Sequence, residues 1–98
     1  MGWLYYDRAS GFEIDDRTLA HLQVVIITKL RRRESFSLEL HDGRHLTTVW
    51  LSETTPLEFR YSGNRQPALN QAWAEVMAED AGLHGCLRIR PEPLFTES

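Results

Sequence analysis

Apolar and polar positions alternate along this chain with two periods, and each change of period marks an element. Trp3 to Tyr6 is an aromatic-rich run, Asp7-Arg8-Ala9-Ser10-Gly11 is a polar turn, and Phe12-Glu13-Ile14 alternates between two faces, which together predict a hairpin. Asp15 or Asp16 then stands where a helix cap is wanted. In the segment that follows, Leu19, Leu22, Ile26 and Leu30 form one apolar stripe at helical spacing. Lys29, Arg31, Arg32 and Arg33 place positive charge at its end, where it suits the negative end of the helix dipole. Residues 24–28, Val24 to Thr28, are all β-branched and poor helix formers, so a strand there is the competing reading.

The period then shortens to two. Phe36, Leu38 and Leu40 share one face of Ser35 to His41, with Ser37 and Glu39 on the other, and Asp42-Gly43 predicts a tight hairpin turn into a strand at Leu46 to Leu51. Beyond a Ser/Thr/Pro turn, Leu57-Glu58-Phe59-Arg60-Tyr61 reads as a third strand that completes a meander with the previous two. Pro67 suits the first turn of a second helix, whose stripe is Leu69, Ala72, Trp73, Val76 and Met77 and which Gly82 ends. Cys86 to Arg90 is a last short strand, stopped by Pro91 and Pro93. The order β-β-α-β-β-β-α-β contains hairpins in place of alternating βα units. It predicts an α+β fold, an antiparallel sheet with two helices packed on one face. Trp3, Tyr5 and Trp50 are then candidates for the outer face of a half-covered sheet.

At 98 residues the chain is read as a single domain, residues 1–98. With 42% hydrophobic and 26% charged residues it is too apolar for a disordered chain. Its longest aliphatic run, Val24 to Ile27, is too short to span a membrane. A formal charge of -3 argues against a protein built to coat nucleic acid. The first residues, Met1-Gly2-Trp3-Leu4-Tyr5-Tyr6, have neither the basic nor the apolar segment of a secretory signal, and Cys86 is the only cysteine, so a cytoplasmic setting is expected.

Candidate chemistry is sparse. Glu39-Leu40-His41-Asp42-Gly43-Arg44 looks like the K-x-D-G adenylation motif of ATP-dependent DNA ligases, but Leu40 stands at the lysine position and has no nucleophile. His41 with His45, or His84 with Cys86, lacks the second ligand pair that a metal site needs. Gly63-Asn64-Arg65 lacks the second glycine and the lysine of a phosphate-binding loop. Glu75, Glu79 and Asp80 read as the solvated face of the second helix. No catalytic residue, metal site or cofactor is therefore predicted. Two polar features remain. One is the basic patch Lys29, Arg31, Arg32 and Arg33. The other is Arg65 with Asn64 and Arg60, where a guanidinium ahead of a helix N-terminus suits an anion or a partner's acidic group. The simpler alternative for Arg65 is a surface pair with Glu58.

Asp15-Asp16-Arg17, Leu19 to Ile26, Lys29-Leu30-Arg31-Arg32, Glu34-Ser35-Phe36, Trp50-Leu51, Pro56-Leu57, Gly63, Arg65, Pro67, Asn70, Trp73 and Pro91-Glu92-Pro93 carry a resemblance. The chain resembles a small actinobacterial family of unknown function, with members of about this length that often bear the label "ATP-dependent DNA ligase" though they lack the ligase motifs. The resemblance covers nearly the whole chain and is weaker between Leu38 and Thr48, where members carry a longer insert. It implies a bacterial cytoplasmic setting and an association with DNA metabolism. From residues and resemblance together, the leading expectation is a small non-catalytic binding or interaction module, able to self-associate or to bind another protein. The first alternative is a nucleic-acid accessory domain with DNA as its partner. The second is a small enzyme acting on a phosphorylated or carboxylated ligand; no membrane partner is expected.

Overall fold

A computed structural model describes residues 1–93, apart from the side chain of Asp42; the C-terminal Thr96-Glu97-Ser98 lies outside the described residues. The elements follow the expected order: β1 Gly2–Tyr6, β2 Ser10–Ile14, α1 Asp16–Arg31, β3 Phe36–Asp42, β4 His45–Leu51, β5 Leu57–Arg60, α2 Gln71–His84 and β6 Cys86–Arg88. The fold is α+β, with the strands divided between two three-stranded sheets, β2-β1-β5 and β4-β3-β6. Pairing is antiparallel except between β3 and β6, where Leu38 lies beside Leu87 in parallel.

The expected meander does not form. β5 leaves β4 and pairs with β1, setting Phe59 opposite Leu4. The connection explains it: Thr55 N–H closes a turn on Ser52, and Asp7 N–H then bonds the Pro56 carbonyl at 2.9 Å, which seats the chain beside β1. Leu4, in the central strand of its sheet, is thereby covered on both sides and fully buried. A second consequence is that the three candidate surface aromatics separate. Trp3 and Tyr5 lie on the first sheet opposite Arg60 and Glu58, whereas Trp50 lies on the second.

One core joins the layers. Leu4, Phe12 and Ile14 come from the first sheet, Leu38, Leu40, Leu51 and Leu87 from the second, and α1 and α2 supply Leu19, Leu22, Val25, Ile26, Trp73 and Met77. α1 packs against β1, α2 against β6, and the helices touch each other.

Residues 24–28 are helical. Val25 and Ile26 are buried in that helix, and burying each gains about 1.5–3 kcal/mol against a propensity cost near 0.5 kcal/mol relative to alanine. Asp15 caps the start, its carboxylate accepting from Thr18 N–H at 3.2 Å. At the other end Arg33 adopts φ 60, with Arg33 N–H on the Leu30 carbonyl and Glu34 N–H on that of Lys29. That is the Schellman arrangement, with arginine where glycine is usual.

Several boundaries differ from expectation. The β3–β4 turn residues are Gly43 and Arg44, since Asp42 pairs with His45; Gly43, at φ 58, holds the first turn position. α2 starts at Gln71 and not near Pro67, leaving Leu69 outside the helix and exposed. The helix also passes through Gly82 and ends at Gly85, whose positive φ of 69 lets its N–H bond the Ala81 carbonyl. Trp73, Ala74, Met77 and Ala81 form the buried stripe, and Val76 faces solvent. β6 is shorter than the Cys86 to Arg90 run, stopping at Arg88.

Candidate functional site

Arg60, Asn64 and Arg65 are brought together. They line one open cleft of about 500 Å³, formed by the end of β5, the loop after it and Gln23 of α1. Tyr61 and Gln66 bind to Gln23 and fix one wall: the Tyr61 hydroxyl donates to Gln23 Oε1 at 2.6 Å, and Gln66 Nε2 donates to the same oxygen at 3.1 Å and to the hydroxyl at 3.2 Å. Burial pushes the Tyr61 phenol above its usual range, against the opposing effect of the Gln66 bond, so the hydroxyl keeps its proton and remains a donor.

The two arginines are not equivalent. Arg60 pairs with Glu58 at 2.5 Å, and its guanidinium lies 5.2 Å from the centre of the Tyr5 ring. It also borders a second cleft of about 450 Å³ with Tyr5, Arg8 and Pro56. Because Glu58 is engaged there, the anticipated Arg65–Glu58 pair is not made, and among the described residues Arg65 has no carboxylate partner. Nor does Arg65 adjoin a free helix N-terminus. Asn70 caps α2, accepting Ala72 N–H at 3.1 Å, and stands well beyond the loop that carries Arg65.

The basic run divides among separate neighbours. Lys29 is only 13% exposed; it bonds Glu34 at 3.3 Å and lies 5.9 Å from the Phe36 ring centre. Arg33 faces Glu53 at 3.7 Å, while Arg32 borders a groove between the helices that also carries Glu75 and Glu79. Arg31 is exposed at the end of α1. Carboxylates thus accompany most of the run. Among the described residues no three His, Cys, Asp or Glu side chains gather as metal ligands would, and no helix is long and apolar enough to cross a membrane.

A polar network that the residue-by-residue reading did not anticipate fastens the two helices to the chain beyond β6. His21 is fully buried. Its Nδ1 lies 2.7 Å from the Arg17 carbonyl, and its Nε2 accepts the Asn70 N–H at 2.7 Å, so the ring is neutral with its proton on Nδ1. The ring packs 4.4 Å from that of Trp73, whose indole N–H donates to the Arg90 carbonyl at 2.9 Å. Asn70 Nδ2 donates to Glu92 at 2.9 Å, and Arg17 grips the same carboxylate. The Arg17 guanidinium first, then the Asn70 amide, hold the Glu92 carboxyl down to about 2. Both His21 nitrogens are spent on backbone, which leaves the ring nothing with which to act on a substrate. The signal available in the sequence was His21 itself, a polar residue between Ala20 and Leu22 on the apolar face of α1, because a buried polar group needs partners.

No curated protein and no solved structure matches this chain. A family model described as "Domain of unknown function (DUF7882)" matches residues 1–92. That span takes in both sheets, both helices and the network that Glu92 closes, and the chain belongs to this family.

Proposed function

We propose that this domain is a non-catalytic binding module, cytoplasmic in setting, that holds an acidic group of a protein partner in the cleft beside β5. The observation that carries this reading is the environment of Arg65. It is an exposed guanidinium without a carboxylate partner among the described residues, on a cleft whose wall the Tyr61–Gln23–Gln66 bonds hold in place. Such a wall supplies neutral hydrogen-bonding groups, since Tyr61 keeps its proton, and Glu58, which also lines the cleft, is paired with Arg60. Asn64 and Arg60 complete the contact surface.

The test is a titration of the intact protein with an acidic peptide, and with duplex and single-stranded DNA, at low and high salt. Arg65→Ala weakens the peptide at least about fivefold, roughly 1 kcal/mol, and leaves the melting temperature within about 2 °C. No peptide binding by the wild type at low salt, or an Arg65→Ala variant that loses stability and keeps its affinity, sinks the assignment. DNA binding that is tighter than peptide binding and collapses with salt favours the nucleic-acid accessory reading instead.

A further inference from the structure

Among the described residues β4 is an edge strand, since β3 lies on one side of it and the sheet order places no strand on the other. In a two-residue hairpin the residues flanking the turn exchange hydrogen bonds, and the pattern repeats every second residue. With Asp42 opposite His45, the bonded partners on β4 are therefore His45, Thr47, Val49 and Leu51. The N–H and C=O groups of Leu46, Thr48 and Trp50 point away from β3. Two contacts agree with this register: Ser37, opposite Trp50, sends its N–H to Gly85, and the Trp50 carbonyl accepts the Tyr6 hydroxyl at 2.8 Å.

The strand itself carries none of the residues that usually blunt an edge. Strand His45–Leu51 has no lysine, proline or acidic residue, and its centre, Thr47-Thr48-Val49-Trp50, is β-branched and aromatic. Leu46 is 58% and Trp50 57% exposed, on the same face as exposed Thr48.

We propose that β4 pairs antiparallel with β4 of a second copy of this chain, on a two-fold axis through Thr48. The pattern is self-complementary in three respects. The three outward-bonding residues fall opposite one another, Thr48 on Thr48 and Leu46 on Trp50, so that every outward N–H meets an outward C=O; the Trp50 oxygen, which already accepts the Tyr6 hydroxyl, takes the new bond on its second lone pair. The facing side chains are a threonine pair and two aromatic–aliphatic pairs, both favourable across antiparallel strands. Charge also matches: exposed Arg44 precedes the strand and Glu53, with a side chain 56% exposed and a loose 3.7 Å contact to its own Arg33, follows it, so the axis directs each Arg44 toward the other copy's Glu53. The interface is isologous and closes at two copies, making one continuous sheet from two edge sheets. It gives the self-association of an interaction module a definite surface, and it uses none of the residues of the β5 cleft.

Light scattering across a concentration series reads the result. The wild type rises from monomer to dimer mass. Thr48→Lys sets two ammonium groups face to face and raises the dissociation constant at least about tenfold, with the circular dichroism spectrum unchanged. Thr48→Pro removes an N–H that β3 does not use and has the same effect, so the two variants check each other. Arg44→Glu weakens the dimer, and adding Glu53→Arg restores it. A wild type that stays monomeric at the highest attainable concentration overturns the proposal, as does a dimer indifferent to both Thr48 substitutions. Neither result touches the Arg65 titration.

Discussion

Arg17 and Glu92 are joined fork to fork, Nε to Oε1 at 2.9 Å and Nη2 to Oε2 at 2.6 Å, across a long stretch of sequence. The third arm of the guanidinium, Nη1, donates to the Ala68 carbonyl at 2.9 Å, so one arginine on the first turn of α1 fastens both the approach to α2 and the segment after β6. Beneath this clasp Asn70 links Glu92 to the buried His21. The arrangement is a fastening between three distant parts of the chain.

The clasp makes stability depend on acid. Glu92 sits at about 2 in the folded chain against an ordinary 4.5. A depressed carboxyl contributes stability in full above its unfolded value and loses it as pH falls through the folded one. Stability is therefore expected to drop between about pH 4.5 and 2. Asp16, held low by the Ser62 hydroxyl, acts in the same direction. Urea unfolding across this range, compared between wild type and Glu92→Gln, checks it: the variant is less stable at pH 7 and loses less on acidification. Equal slopes for the two proteins would show that Glu92 does not titrate with folding.

His21→Ala leaves the buried Asn70 N–H without its acceptor and opens a void beside Trp73. A lost buried bond together with a cavity costs about 3 kcal/mol. Chemical denaturation measures the loss, and the Trp73 indole N–H resonance supplies a second readout, because its hydrogen bond to the Arg90 carbonyl loosens as the ring gains room. A loss below about 1 kcal/mol would mean that the surroundings collapse onto the site or that water replaces the ring.

Arg33→Gly is expected to stabilise the protein. A non-glycine residue in the left-handed region costs about 1–2 kcal/mol, of which the added freedom of glycine in the unfolded chain returns part. Against this stands the exposed Arg33–Glu53 pair at 3.7 Å, worth little. The net gain is about 0.5–1 kcal/mol, a rise of a few degrees in melting temperature by calorimetry. An unchanged or lower melting temperature would place more weight on the ion pair than its exposure suggests.

The pattern along the chain determined the elements and their order, because the periods that distinguish helix from strand are local properties of a few neighbouring residues. Leu57, Phe59 and Tyr61 on one face of a run announce a strand with one side to bury, and the same alternation serves either sheet edge. Which edge it joins is a long-range choice, decided by the Asp7–Pro56 bond and by the need to cover Leu4. Val24 to Thr28 argue locally for a strand and become helix once Val25 and Ile26 meet the core, because burial outweighs propensity. The start of α2 moved for a similar reason: Pro67 is a sound first-turn residue, but the helix begins where Asn70 is held by His21 and Glu92, neither of which is near it in sequence. Arg65 stood out because it is a charge in a glycine-bearing loop, and the fold brings Arg60 from β5 to the same cleft. Their inequivalence follows from strand geometry, since Glu58 and Arg60 alternate onto one face of β5 and Arg65 lies beyond the strand. Local pattern fixes what each segment is; which segments meet depends on burial and hydrogen-bond satisfaction summed over the folded chain, and no window of the sequence contains that sum.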